Sequence, residues 1–212
     1  MRDARGMTDR RRGRAEPETD TTVRSEDWDG RDLTGERHER VAFIDVDLTE
    51  TVTQGTVFTD CVFRGVRFNA SAHTNTAFTN CAFTRCAFFD ATFTGCKLVG
   101  SAFDTCTYGL LKVSGGDWSF AELARADLGG ASFEDVRMRE ADLTGARLGG
   151  ATLRNVDLSG ASLHRADLTG CDLRGSDLSA LDPLSVELKD AVIDLTQAVM
   201  IATALGLEVR SE

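Results

Sequence analysis

Residues 141–170 read ADLTG ARLGG ATLRN VDLSG ASLHR ADLTG when the chain is cut every five residues. Each block has Leu third and Ala or Val first, and its other three positions are polar or Gly. A period of five matches neither the 3.6 of a helix nor the 2.0 of a long strand. It fits short extended pieces joined by regular corners, the pattern of a β-solenoid.

The register extends far beyond these blocks. From Phe43 to Leu178 the third position is large and apolar everywhere except Thr53 and His73. It is mostly Phe from Phe58 to Phe103 and mostly Leu from Leu123 on. The first position is small, and all six Cys (61, 81, 86, 96, 106 and 171) occupy it. One small and one large residue per block therefore face inward. With a coil of twenty residues, Cys61 lies below Cys81 and Cys86 below Cys106, about 4.8 Å apart along the axis. A relaxed disulfide wants Cβ atoms ~3.8 Å apart, so free thiols and a reducing, cytoplasmic setting are expected. No C-x-x-C occurs, and His38, His73 and His164 make no zinc spacing with the Cys. No metal or other cofactor is expected.

The chain of 212 residues carries a formal charge of −10. That balance argues against direct binding to a nucleic acid backbone. No run approaches the ~18 apolar residues of a membrane span. Phosphate loops and nucleophile elbows are absent from the sequence, and a solenoid filled by its own side chains leaves no room for a small-molecule substrate. A non-enzymatic protein is expected.

In chain order, residues 1–26 are polar and aperiodic, which predicts a disordered tail. Arg10–Arg14 is Arg-rich but has no apolar stretch after it, unlike a secretory signal. Residues 27–181 form the predicted solenoid and 182–212 a helical cap. Tyr108–Phe120 is the least regular stretch, with Gly115-Gly116 the natural place for a bend. Phe89 and Phe120 lie out of register and should face outward as contacts. Asp182-Pro183 reads as a helix start. Asp194 and Gln197 make a capping-box pattern, and Gly206 suits the residue after a helix. The helix between them is apolar nearly all round. One face can cover the open solenoid end, and the other calls for a two-fold homodimer through Leu195, Val199, Met200, Ile201, Leu205 and Leu207.

Blocks such as Ala141–Gly145 and Ala166–Gly170 resemble the A(D/N)LXX unit of the pentapeptide-repeat family. That resemblance implies an all-β, right-handed quadrilateral β-helix with four blocks per coil. The stretch IDLTQAVMIATALGLEV (193–209) resembles the close of the Qnr and MfpA type, and is nearer MfpA because no loop interrupts the register. The resemblance continues through Gly170–Gly175 and weakly at Thr34–Arg40. It implies a head-to-head dimer that mimics B-form DNA, binds DNA gyrase and sometimes topoisomerase IV, and counters fluoroquinolone-type poisons. Sorted by twenty-residue spacing, the most acidic face holds Asp47, Glu50, Asp90, Asp127, Asp167, Glu187 and Asp190, opposed by Arg67, Arg147 and Lys189. Those carboxylates are the expected partner-binding residues. The alternative is a pentapeptide-repeat scaffold that docks an unrelated protein.

Overall fold

The computed structural model describes residues 15–210. Its strands are β1 (Thr21–Arg24), β2 (Arg37–Glu39), β3 (Val41–Ile44), β4 (Val52–Gln54), β5 (Val57–Thr59), β6 (Val62–Arg64), β7 (Ala72–Thr74), β8 (Ala77–Thr79), β9 (Ala82–Thr84), β10 (Thr92–Thr94), β11 (Ala102–Asp104), β12 (Lys112–Ser114), β13 (Ser132–Glu134) and β14 (Thr152–Arg154). One helix follows, α1 (Leu195–Ala204). Every strand pairs in parallel with a segment twenty residues away, as Phe43 with Phe63 and Phe93 with Val113. Face one stacks β1-β3-β6-β9-β11, face three stacks β4-β7-β10-β12-β13-β14 and face four stacks β2-β5-β8. Face two is a ladder of single bridges, Asp27 to Asp47 to Arg67 and onward to Asp167 and Glu187. The chain is the four-sided β-solenoid that the five-residue period predicts.

Corners are made by the fifth residue of each block. Glycines such as Gly145 and Gly170 sit there with positive φ, and so do Asp, Asn, Arg and Glu residues, from Asn75 at 49° to Arg165 at 60°. A left-handed residue is what turns the chain sharply between two short strands.

Inside, the third-position rings stack along the axis and meet edge-on around it. Phe43, Phe63, Phe83 and Phe103 are stacked 5.0, 4.8 and 4.7 Å apart. Phe58 and Phe63, on adjacent faces, meet at 71°. Each such pair adds about 0.5–1.5 kcal/mol beyond its buried area.

The small column has its own chemistry. The small residue of the next coil donates to the carbonyl of a third-position residue, for the cysteines in addition to the ladder amide that the strand register supplies. Cys81, Cys86, Cys96 and Cys106 reach Phe58 O, Phe63 O, His73 O and Phe83 O at 3.5, 3.3, 3.3 and 3.4 Å. Ser101 and Ser176 do the same to Phe78 O and Leu153 O at 2.7 Å. All six Cys are free thiols, five of them buried and Cys106 half-buried. Coil-to-coil carbonyl satisfaction explains why a thiol or hydroxyl is useful in an otherwise apolar column.

The two exceptions in the large column are joined. His73 Nδ1 lies 2.8 Å from Thr53 Oγ1 and its Nε2 lies 2.9 Å from Ser71 Oγ. Thr53 Oγ1 is also 2.7 Å from Thr76 Oγ1. In the irregular stretch, Trp118 is buried and stacks on Phe103 at 5.9 Å. Gly116 lets the chain pass close beneath: a Cβ there would sit 2.1 Å from Cys96 O. Pairing runs through this point without a slip, Lys97 to Asp117 to Arg137.

Both predicted solenoid boundaries move outward. The expected tail of residues 1–26 is only partly within the described residues, and β1 already pairs with β3 from Thr21. At the other end Asp182-Pro183 starts no helix. Asp182 closes a turn, accepting from Leu184 N at 3.0 Å; Arg165 N bonds Ser185 O at 2.7 Å, one residue beyond the usual step, and the register is recovered where Asp167 bridges Glu187. The ladder reaches Val192, which bridges Asp172.

Burial drops the pKa of His73 to about 3, against roughly 6.5 unfolded. Above pH ~6.5 the imidazole is neutral in both states. As pH falls from there toward 3 only the unfolded chain takes up the proton, so stability is lost across that window. A His73→Phe variant, measured by urea denaturation at pH 6 and pH 4, should lose less stability on acidification than the parent, by about 1.4 kcal/mol per pH unit. Equal slopes would mean that His73 is protonated in the fold.

Candidate partner-binding surfaces

Face two gathers the predicted carboxylates, as the twenty-residue sorting requires. The ladder that aligns them also aligns their counter-ions. Asp47 is paired with Arg67, one coil on. Asp127 pairs with Arg147 at 2.7 Å, and Asp90 with Lys112, reaching from face three, at 2.9 Å. Arg67 holds the Asp47 carboxyl down at about 2, and Arg147 lowers that of Asp127. The pattern recurs on face four, with Arg137 on Asp117 at 2.9 Å, and on face three Asp172 is paired within its own block by Arg174 at 2.7 Å. Among the described residues Glu50, Asp167, Glu187 and Asp190 have no ion pair. Asp167 is lowered by the hydroxyl and amide of Thr169 rather than by a cation. The face is thus neutralised along its middle and acidic toward its ends, with three of these four carboxylates at the C-terminal end.

Phe89 and Phe120 are exposed, as their register predicts. They do not form one site, because they stand eleven residues apart around a twenty-residue coil, at opposite corners. The companion of Phe89 is Leu110, 55% exposed, one coil on from Asp90. The neighbouring Gly109 leaves room for the Phe89 ring, 3.1 Å from where a Cβ would stand. Leu110 was not singled out from the sequence, although it occupies the fifth position, the corner that points outward.

The C-terminal end is built by Asp194 and Gln197. Gln197 N donates to Asp194 Oδ1 at 3.0 Å, and Asp194 N donates to Gln197 Oε1 at 2.9 Å, the reciprocal capping box. The Gln197 side chain is buried and its Nε2 donates to Leu173 O at 2.6 Å and Ser176 O at 2.8 Å. Asp194 Oδ2 accepts from Gly175 N at 3.0 Å. The first turn of α1 is therefore bonded to the last coil. At the other end Gly206 N bonds Thr203 O and Leu207 N bonds Ala202 O, a Schellman motif with Gly206 at φ 83°.

The residues expected at a dimer contact divide into two sets. Met200 and Ile201 pack on the solenoid core, so they hold the helix to its own chain. Leu195, Val199, Leu205 and Leu207 are exposed, Leu195 at 82%, and Leu184 and Val209 are exposed as well. Substituting Gln197 by Ala should leave Ser176 O without its side-chain donor and Asp194 N without its acceptor, and leave Leu173 O with the Ser176 amide alone. A loss of roughly 2–4 kcal/mol is expected, together with a helical signal that melts before the main transition in a far-ultraviolet thermal scan.

A family model described as pentapeptide repeats matches residues 121–160 and 141–179. No curated protein matches the chain by sequence. HetL, a pentapeptide repeat protein involved in heterocyst differentiation regulation in the cyanobacterium Nostoc sp. strain PCC 7120, is similar in structure at a TM-score of 0.53 and 19% identity, over 83% of this chain and 87% of that one. A trypsin-treated variant of QnrB1, a plasmid-mediated fluoroquinolone resistance protein, aligns at a TM-score of 0.44 and 22% identity, over 91% of this chain and 99% of that one. These likenesses are likenesses of fold. Among the described residues no helix is long and apolar enough to cross a membrane.

Proposed function

We propose that this pentapeptide-repeat protein is a non-enzymatic DNA mimic that binds DNA gyrase, with topoisomerase IV as a related target, and protects it from fluoroquinolone-type poisons. The observation that carries this is the C-terminal end. The exposed apolar side chains Leu195 and Val199 on α1, and Leu205 and Leu207 just after it, lie at the coil end where Asp167, Glu187 and Asp190 stand without ion pairs. A two-fold axis through that end buries the apolar face and brings the carboxylates of both copies into one acidic middle, interrupted by Lys189. A rod with an acidic centre suits the basic saddle of an enzyme that binds duplex DNA, and charge of that kind steers association. The resemblance of residues 193–209 to the close of the Qnr and MfpA type supports the same reading.

A second reading, a scaffold for an unrelated protein, is favoured by the ion-paired middle of face two. Arg67, Lys112 and Arg147 remove the continuous negative charge that a DNA duplex presents. The two readings separate in one assay.

Gyrase supercoiling is measured in the presence of a fluoroquinolone while intact protein, or a Val199→Glu/Leu205→Glu variant, is titrated in. Both substituted positions are exposed, so the fold should survive. Intact protein is expected to restore supercoiling or to inhibit gyrase, and the variant, monomeric by light scattering, to do neither. No effect of the intact dimer at micromolar concentration would remove gyrase as the partner and leave the scaffold.

A further inference from the structure

The second residue of each block points outward, so an apolar side chain there should be open to solvent. Val52 on face three follows this rule at 45% exposed. On face one the rule fails: Ala42, Val62 and Ala82 are 7, 5 and 6% exposed and form a small apolar cluster of their own, with Ile44 against it. Residue type and block position are the same for Val52 and Val62. Something covers face one.

The cover is the segment just before β1. Its lower end is fixed where Asp20 N donates to Arg40 O at 2.7 Å and the Asp20 carboxylate takes Arg40 Nε and Nη2 at 2.8 and 3.1 Å. Its upper end is fixed by Glu16, which accepts from Arg64 Nη2 on β6 at 2.7 Å and from Thr84 Oγ1 on β9 at 3.2 Å. Between these points Pro17 and Thr19 are half-buried while Glu16 and Glu18 are exposed, the alternation of an extended chain lying on a surface. Four extended residues reach about 13 Å, and the two ladder steps from β3 to β9 span about 9.6 Å. The segment therefore runs across the strands rather than along them. A crossing chain cannot join the ladder, and among the described residues the first backbone hydrogen bond is the one donated by Asp20. Residues 15–19 are held by two exposed ion pairs, Glu16 with Arg64 and, longer at 3.9 Å, Glu18 with Arg40, by one hydroxyl and by apolar contact.

We propose that the outward row Ala42-Val62-Ala82, with Arg64 beside it, is a docking strip for an extended carboxylate-bearing segment, and that residues 15–20 fill it as a releasable strap. The chemistry it selects is a carboxylate at the Arg64–Thr84 position followed by a small apolar or Pro residue over Val62. Release bares an apolar row on a face that takes no part in the acidic end described above. The inference is independent of the choice of gyrase as partner.

The test uses the full-length chain and glutamyl endopeptidase cleavage at Glu18–Thr19, which requires the strap to lift. Variants E16K and R64E should each be cut about five-fold faster than the parent or more, and the charge-swapped E16K/R64E should return close to the parent rate. R64E leaves the cleaved sequence untouched, so its effect reports on the strap and not on protease preference. Val62→Asn, outward-facing and clear of the core, should also speed cleavage with the ion pair intact. Single charge variants cut at the parent rate, or a double variant no slower than the singles, would overturn the clasp. A Val62→Asn rate equal to that of the parent would overturn the docking strip.

Discussion

From Ser25 to Gly175 every fifth residue of this solenoid adopts a left-handed backbone, and everything else in the molecule answers to that corner. With Asp190, nineteen non-glycine residues do so, including Arg40, Glu50, Leu110 and Phe120, for which the conformation is sterically unfavourable. The strain is tolerable because the corner sets two inward side chains per block at fixed height. Phe stacks spaced 4.7–5.0 Å on face one and edge-on contacts between faces then recur coil after coil. The same spacing lets a thiol or hydroxyl, where the small column carries one, donate to a carbonyl of the coil before it. Corner and inward pair make one repeating unit, filled by Phe and thiols in the early coils and by Leu and Ala in the later ones.

Twenty-residue spacing also governs the exterior, with a consequence that runs against a simple acidic stripe. Residues that share a column are one ladder step apart, close enough for Asp and Arg to bond directly. Asp47 with Arg67 and Asp127 with Arg147 are such pairs. A formal charge of −10 is therefore not spread evenly: the middle of face two is largely neutralised and the C-terminal end is not. Net charge alone says little about such a rod, because its surface field depends on which carboxylates lack a cation one coil away.

The interior was legible in the sequence because a single large apolar column with two exceptions has few ways to fold. Even those exceptions had a reason that only coordinates reveal, since Thr53 and His73 are twenty residues apart and bond each other. The corner handedness was hidden, because Arg and Glu give no hint of a left-handed φ. The ends were harder to read: the polar start of β1 hides its pairing, and Pro183 interrupts the face-one ladder although pairing resumes at Glu187 and Val192. Of the site, the capping box and the exposed Phe89 could be read, since both are local. Ion pairs across coils were partly visible as Asp/Arg alternation at a spacing of twenty. The anchoring of Gln197 to Leu173 O and Ser176 O, and the strap over Val62, join segments that share no pattern.

These departures from the repeat are where recognition belongs. A side chain repeated on every coil offers a partner no unique position, because sliding by one coil presents the same chemistry again. Leu110 beside Phe89, the exposed face of α1 and the strap over face one each occur once along the rod. They set the register in which anything can bind, while the repeating Asp and Arg columns supply solubility and the approach. The helix cap illustrates the division: Met200 and Ile201 are spent on the chain's own core, and Leu195 and Val199 are left outside. An end that only needed closing would have a polar outer face. One that keeps apolar residues there is closed toward its own coil and leaves an apolar face to solvent.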